Sequence, residues 1–428
     1  MGPAAKSGPG SAPRSLSLGD AIRLAHAHRP EVAQAAVQRS RAELAELRAK
    51  LARVQLTVGA SFTARYQRLN LNGPDEVCLV TPETCLTEAH PFSATATLTI
   101  PLWSGGTVEA RLAAARKEKV ASESDERATL NDVALEVAQS YWAIRRAELL
   151  QGVAQRVLAS SRQIEEIAKE RFAAGIAAVV DFNRSHVLVL REQQQLNTIE
   201  STLLVGRARF LAALGVEGDF VLTDLPGSPD RPFVTLDQAE SEGVTARPEL
   251  SAAAARLAAA MELVTAAKGG YWPQLSVVSE AESHNQRFFL PEQQERLVGS
   301  AIVGVQVNWL LFDTLGRWTA VRDAELVRLG AKSGYERSRQ RILAELRSGH
   351  AVLSQAIERR KLAEATAIAQ RENVSLLKKR YQVGSILLIE VLLAQVDLSE
   401  LEAELVEASI AIAEAEAQLR SALGRPQG

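Results

Sequence analysis

Histidine and cysteine are scarce in this chain, at six and two residues in 428. His26, His28, His90, His186, His284 and His350 show no metal-ligand spacing, and no glycine-rich phosphate loop occurs. With the acids mostly on outward helical positions, nothing here forms a catalytic, metal or cofactor site. The chain is read as a non-enzyme. A formal net charge of −2 offers no basic field to a phosphate backbone, which excludes nucleic acid as the main partner. No run of about 18 apolar residues is present, so no transmembrane helix is expected. Residues 1–14 are rich in Gly, Pro and Ser without an apolar centre, and read as a flexible tail rather than a secretion signal. An N-terminal lipidated cysteine is not expected in this sequence, whose cysteines are Cys78 and Cys85, and for an exported protein the signal is expected to have been removed. Aromatics are also few, at 5% against 46% hydrophobic residues, chiefly Ala, Leu and Val. That mixture suits long packed helices better than a bulky globular core.

What the chain does have, it has twice. Arg380-Tyr381-Gln382-Val383-Gly384-Ser385-Ile386-Leu387-Leu388-Ile389-Glu390 has an earlier counterpart in Arg171-Phe172-Ala173-Ala174-Gly175-Ile176-Ala177-Ala178-Val179-Val180-Asp181. Long alanine-rich, glycine-poor sequence flanks each copy. A glycine between helices that long marks a sharp reversal, because it takes the positive φ that ends one helix before the next begins. Each copy is the tip of an antiparallel helical hairpin.

Upstream, residues 16–28 read as a short amphipathic helix, and Arg29-Pro30-Glu31 starts another; Arg247-Pro248-Glu249 does the same later. The period then changes to two. Leu56, Val58, Ala60, Phe62, Ala64 and Tyr66 alternate with polar residues, as do Ala94, Ala96, Leu98 and Ile100 with Ser93, Thr95, Thr97 and Thr99. Strands of about ten residues, one face apolar and the other hydroxyl-rich, fit a transmembrane β-barrel. A soluble, half-buried sheet is the alternative for a lone hairpin. Recurrence of the pattern at 274–283 and 300–309 favours the barrel, as does the clustering of Trp103, Tyr271, Trp272, Trp309 and Phe312 at one end of the strands.

Cys78 and Cys85 lie in the polar loop 69–90 between the first two strands. Outside the membrane they are expected to be oxidised, stabilising the loop by roughly 2–3 kcal/mol. A metal site, the alternative, would need His or Cys neighbours that these two thiols lack.

A proline-free helical stretch over 108–172 would run roughly 100 Å. Its return helix keeps a heptad register through Val189, Leu196, Ile199, Leu203, Gly206, Phe210 and Ala213, and the second return helix through Leu398, Leu405, Ala408, Ile412, Ala415, Leu419 and Ala422. Both end in Ala-Leu-Gly. Gly175 to Gly384 and Gly215 to Gly424 are shifts of 209, whereas Arg29 to Arg247 is 218, the difference falling in the longer first strand loop. The expected organisation is a tail (1–15), a first repeat (16–215), a linker (216–234), a second repeat (235–424) and a short tail (425–428). The first repeat has strands over 54–68 and 91–103 and a hairpin over 106–214 turning at 172–181. In the second they lie at 272–284 and 299–312, with a hairpin over 316–424 turning at 381–390.

Four strands per chain cannot stand alone in lipid, because open edges leave backbone groups unsatisfied. Two copies would give about eight strands and a filled interior; three give about twelve, enough for an aqueous passage. A hydroxyl-lined inner face favours three.

LSLGDAIRLA (16–25), the Arg-Pro-Glu pairs, IPLWSGG (100–106), YWPQLS (271–276), LLFD (310–313), both tips and both Ala-Leu-Gly ends occur in one order over 16–424. In these the chain resembles the TolC-like outer-membrane efflux proteins. The resemblance implies long antiparallel α-helical hairpins forming an α-barrel, joined to transmembrane β-barrel strands in a homotrimer. It implies a duct through outer-membrane lipid into the periplasm, serving a tripartite efflux pump or type I secretion system, with a periplasmic adaptor and an inner-membrane transporter as partners. It implies no cofactor. Carried over, the gate acids are Asp181 and Glu390, and Tyr381 hydrogen-bonds a neighbouring helix. The sequence departs from the family at Ile386 and Leu393, where a basic and an acidic residue are usual, so an ion-pair latch to Asp181 is missing and apolar contacts of these two take its place. Ala174, Gly175, Ile176, Val383, Gly384 and Ser385 are the expected adaptor contacts. A periplasmic coiled-coil scaffold or adaptor is the competing class; adaptors carry one hairpin, and this chain has two.

Overall fold

Local signals set the order of elements. Strand β1 (Arg14–Leu16) leads into α1 (Leu18–His28) and α2 (Pro30–Leu51), followed by β2 (Gln55–Phe62), β3 (Arg65–Arg68), β4 (Leu86–Ala89) and β5 (Phe92–Trp103). The first hairpin is α3 (Thr107–Ala173) and α4 (Val179–Leu214). The second half comprises β6 (Phe220–Leu222), α5 (Leu236–Ala246), α6 (Pro248–Gly269), β7 (Gln274–Gln286), β8 (Arg296–Asn308), α7 (Gly316–Gln382) and α8 (Leu388–Ala422). Both α3 and α7 are 67 residues long. This computed structural model describes residues 14–62, 65–68, 86–89, 92–286 and 296–427. Cys78 and Cys85, and with them the expected disulfide, lie outside the described residues.

Two compact units are distinguished: 1–39, 121–254 and 334–428 form one, and 40–120 and 255–333 the other. Within the first, α3 and α8 each pack against two helices. Ala154 and Leu158 of α3 meet Leu196 of α4; Val133, Tyr141 and Ile144 of α3 meet Ile410 and Ala413 of α8. Ile342, Leu346 and Leu353 of α7 meet Ile412, Ala415 and Leu419 of α8. The heptad positions of α8 thus face its hairpin partner, while a second apolar face turns to α3. A pairwise seam alone, as the heptads suggest, understates this burial. The remaining sides of α4 and α7 leave Val187, Leu190, Leu204, Leu362, Ile368 and Leu376 exposed.

The Arg-Pro-Glu triplets do more than start helices. Arg29 donates to the Ala213 carbonyl (3.3 Å) and Glu136 (2.6 Å), with Glu31 at 3.0 Å. Arg247 repeats this with the Ser421 carbonyl (2.9 Å), Glu345 (2.8 Å) and Glu249 (3.0 Å). Each arginine pins the carbonyl end of a return helix, where acceptors lack intrahelical donors.

Several expectations are corrected. Leu16 belongs to β1, not to α1, which begins after the Ser17 cap; β1 pairs in parallel with β6, inside the stretch read as a linker. Tyr141, fully buried, secures that pair by donating to the Leu16 carbonyl (3.3 Å) and accepting from the Asp224 N–H (3.0 Å). Arg14 and Ser15 are therefore strand residues rather than tail. The segment read as one strand over 54–68 is β2 and β3, and β3 pairs with β4 inside the predicted loop. Strands β7 and β8 extend to Gln286 and Arg296, while β8 ends at Asn308, so Trp309 and Phe312 lie beyond it. By length and composition only, helix α6 would also pass for a membrane span, as core helices do, so the expectation of no transmembrane helix is not overturned. Its alanines escape a search for uninterrupted runs because Glu249, Arg256, Glu262 and Lys268 break them, and Ala252, Ala255, Ala259 and Ala260 are buried.

In the second unit one antiparallel sheet runs β2-β5-β7-β8. At its ends Ser104 caps α3 by accepting the Val108 N–H (3.1 Å), and Asp313 caps α7 by accepting the Arg317 N–H (2.8 Å). Between cap and helix, Gly106 takes φ +82° in the first copy and Leu315 takes φ +65° in the second.

Candidate functional site

Register fixes what each face of the sheet carries, since paired residues share a face. One row reads Leu56, Leu98, Ser279 and Val303; the next Val58, Ala96, Ala281 and Ala301; Ile100, Val277 and Val305 continue it. The opposite face reads Thr57, Thr97, Glu280 and Ile302, then Gly59, Thr95, Glu282 and Ser300. Among the strand residues whose side chains are described, none is buried on either face. Val58 and Val303 on the apolar face are each 75% exposed. Among the described residues nothing packs on the apolar face of these four strands and the outer margins of β2 and β8 pair with no strand, and such a sheet is incomplete in water.

Aromatics gather at one end of this sheet. Trp103 and Trp272 meet edge-on at 6.2 Å; Trp309 donates its indole N–H to the Tyr271 carbonyl (3.3 Å); the Arg317 guanidinium stands 5.0 Å over the Tyr271 ring. Phe312, just beyond, is 83% exposed.

Each hairpin tip turns on a left-handed glycine. Gly175 (φ +74°) bonds the Phe172 carbonyl and Ile176 the Arg171 carbonyl; Gly384 (φ +79°) bonds Tyr381 and Ser385 bonds Arg380. Both are Schellman turns, closing the helix with 6→1 and 5→2 bonds. Ala174, Gly175, Ile176, Val383, Gly384 and Ser385 are all exposed, Ile176 at 67% and Val383 at 79%. Beneath them Ile164, Ala168 and Leu188 of the first hairpin pack on Tyr381, Leu388, Val391 and Leu392 of the second, with Ile386 against the cluster.

The expected gate residues lie in different surroundings. Asp181 and Glu390 occupy the first turns of α4 and α8, where helix dipoles favour acids, and neither forms an ion pair among the described residues. Tyr381 is only 4% exposed and its hydroxyl has no hydrogen-bond partner among the described residues, so the expected bond to a neighbouring helix is not seen within them. Burial pushes this phenol above its ordinary pKa, Arg171 opposing. Leu393 is 60% exposed in the chain, whereas Ile386 is partly buried against the tip cluster.

Two polar groups that join the hairpins are not announced by the sequence. Lys378 donates to Ser160, which donates to Gln395 (2.8 Å), and burial holds the Lys378 ammonium below its ordinary pKa. Arg171 sits against the second tip, donating to the Tyr381 carbonyl (2.9 Å). Its place in the duplicated Arg-aromatic motif was the only signal, and that motif does not name an acceptor. Glu192, buried on α4, has its carboxyl pushed above the usual range by desolvation, with Arg191 pulling the other way.

The profile of a family described as "Outer membrane efflux protein" matches residues 21–216 and 242–425. Among solved structures the chain is similar to CusC, described as forming a transmembrane channel, with TM-score 0.80 at 18% identity over 95% of this chain and 92% of that one. It is similar to the CmeC outer membrane channel of Campylobacter jejuni (TM-score 0.77, 16% identity, 95% of this chain and 85% of that one). The outer membrane protein VceC of Vibrio cholerae is a third (TM-score 0.77, 17% identity, 95% and 96%). No curated protein sequence matches. At these identities the similarity to the solved structures is one of fold.

Proposed function

This chain belongs to the outer membrane efflux protein family, and from that premise we propose that three copies form the exit duct of an efflux pump. Members of the family are channels of the Gram-negative outer membrane reaching into the periplasm, not enzymes, and the chain is placed with them. One observation carries the finer reading: the four-stranded sheet that, among the described residues, has one bare apolar face, one wettable face and two unpaired margins. Lipid is the solvent that suits the first face, and other copies are the partners that suit the margins. Twelve strands then surround a wet passage. The scaffold or adaptor alternative leaves that face unexplained.

The duct is passive. Tips exposing Ile176 and Val383 suit docking of a periplasmic adaptor, which links the duct to an inner-membrane transporter of the efflux or one-step secretion kind. Asp181 and Glu390 supply negative charge where the passage narrows, biasing it towards cations. The test is the detergent-extracted protein: native mass of a threefold species and discrete conductance in planar bilayers are expected. A monomer soluble without detergent that conducts nothing would sink the proposal. Photo-crosslinkers at positions 174 and 383 should capture the adaptor in cells.

A further inference from the structure

We infer that Arg171 is the positioning residue of the gate: it ties the first hairpin to the last turn of α7, and the tie breaks before the two hairpins of one chain part. The inference rests on the channel reading above. Arg171 Nη1 donates to the Tyr381 carbonyl at 2.9 Å and reaches the Gln382 carbonyl at 3.4 Å. Its guanidinium carbon stands 4.9 Å from the centre of the Tyr381 ring. Both acceptors end a 67-residue helix, where carbonyls lack intrahelical donors and the negative end of the dipole gathers. The Tyr381 carbonyl already accepts the Gly384 N–H (2.9 Å), so Arg171 takes its second lone pair.

Gly384 leaves room for this approach: a Cβ there would stand 3.3 Å from Arg171 Nη2. Tyr381 contributes the face of its ring, not its hydroxyl, which stays buried and unpartnered. Among the described residues the next polar link between the hairpins is Lys378 to Ser160, roughly three helical turns back along α3 from Arg171. Arg171 is therefore the outermost such link, where parting of the hairpins begins. No corresponding contact of Arg380, its partner in the repeated motif, occurs among the described side chains.

The test uses full-length protein in planar bilayers, with assembly checked by native mass. Wild-type protein giving no channels would overturn the channel reading and leave the tie aside. Given wild-type channels, Arg171→Gln is expected to raise the open probability roughly tenfold, as loss of a charge-assisted bond and a cation–π contact requires. Tyr381→Leu, which removes the ring face, should also open the channel, and Tyr381→Phe much less. Arg171→Gln channels as closed as wild type, or Tyr381→Phe as open as Tyr381→Leu, overturn the inference. Should Arg171→Gln fail to assemble, Arg171→Lys carries the test: at least a twofold rise supports the tie, and wild-type gating overturns it.

Discussion

Leu315 holds a backbone conformation that its counterpart Gly106 adopts without a side chain, at φ +65° against +82°. A left-handed conformation costs a non-glycine residue roughly 1–2 kcal/mol. Glycine returns part of that through its freer unfolded chain, roughly 0.5–1 kcal/mol. Since Leu315 is exposed, Leu315→Gly should raise the thermal midpoint modestly, and a fall would show that its side chain has a partner in the assembly. Glu192 gives a pH-dependent case. Its folded-state pKa is raised, so burial exerts no penalty below the unfolded value of about 4.3, and the penalty accrues as pH rises through that value to the folded one. Glu192→Gln should therefore raise the midpoint at pH 7 and give no gain below roughly pH 4. An equal gain at both pH values would assign the effect to packing.

At the scale of elements, the paired arginines differ in depth. The Arg247 side chain is more buried than that of Arg29, and its partners include the more buried of the two triplet acids, Glu249. Arg247→Ala leaves the partly buried Glu249 without its partner and frees the end of α8, a cost of about 1–3 kcal/mol; Arg29→Ala should cost clearly less in the same melting experiment. The sheet offers a second contrast. Val305→Arg on the apolar face should cost roughly 2–4 kcal/mol in lipid and reduce outer-membrane yield, while Thr97→Arg, on the face it shares with Glu280, should be tolerated. Equal yields would mean the apolar face does not meet lipid.

These elements also mark what the sequence reveals. Tips were legible because a glycine between long helices has one local meaning, and strands because their period of two survives any neighbour. The pairing of β1 with β6 was not, because three-residue strands joined across two hundred positions leave no pattern. Arg171 hid for a related reason: its acceptors are backbone carbonyls on the other hairpin, and any residue supplies a carbonyl. Tyr381 resembled a hydrogen-bonding residue, but the environment that consumed its ring left its hydroxyl alone.

For the whole molecule, the duplication produces pseudo-equivalent halves with unequal surroundings. Helix α8 is enclosed by α3 and α7, whereas α4 and α7 keep apolar residues facing outward. The exposed sides of α4 and α7 are unlike each other, as are the margins β2 and β8. Copies must then join left hand to right hand, and such joining either closes or runs on without end. A subunit crippled on one hand alone would still be recruited by the other and would leave its circle unclosable. In a proposed three-membered circle, equal co-expression of such a subunit should leave roughly one assembly in eight intact, so a defect carried on a single plasmid would behave as a poison rather than as a simple loss.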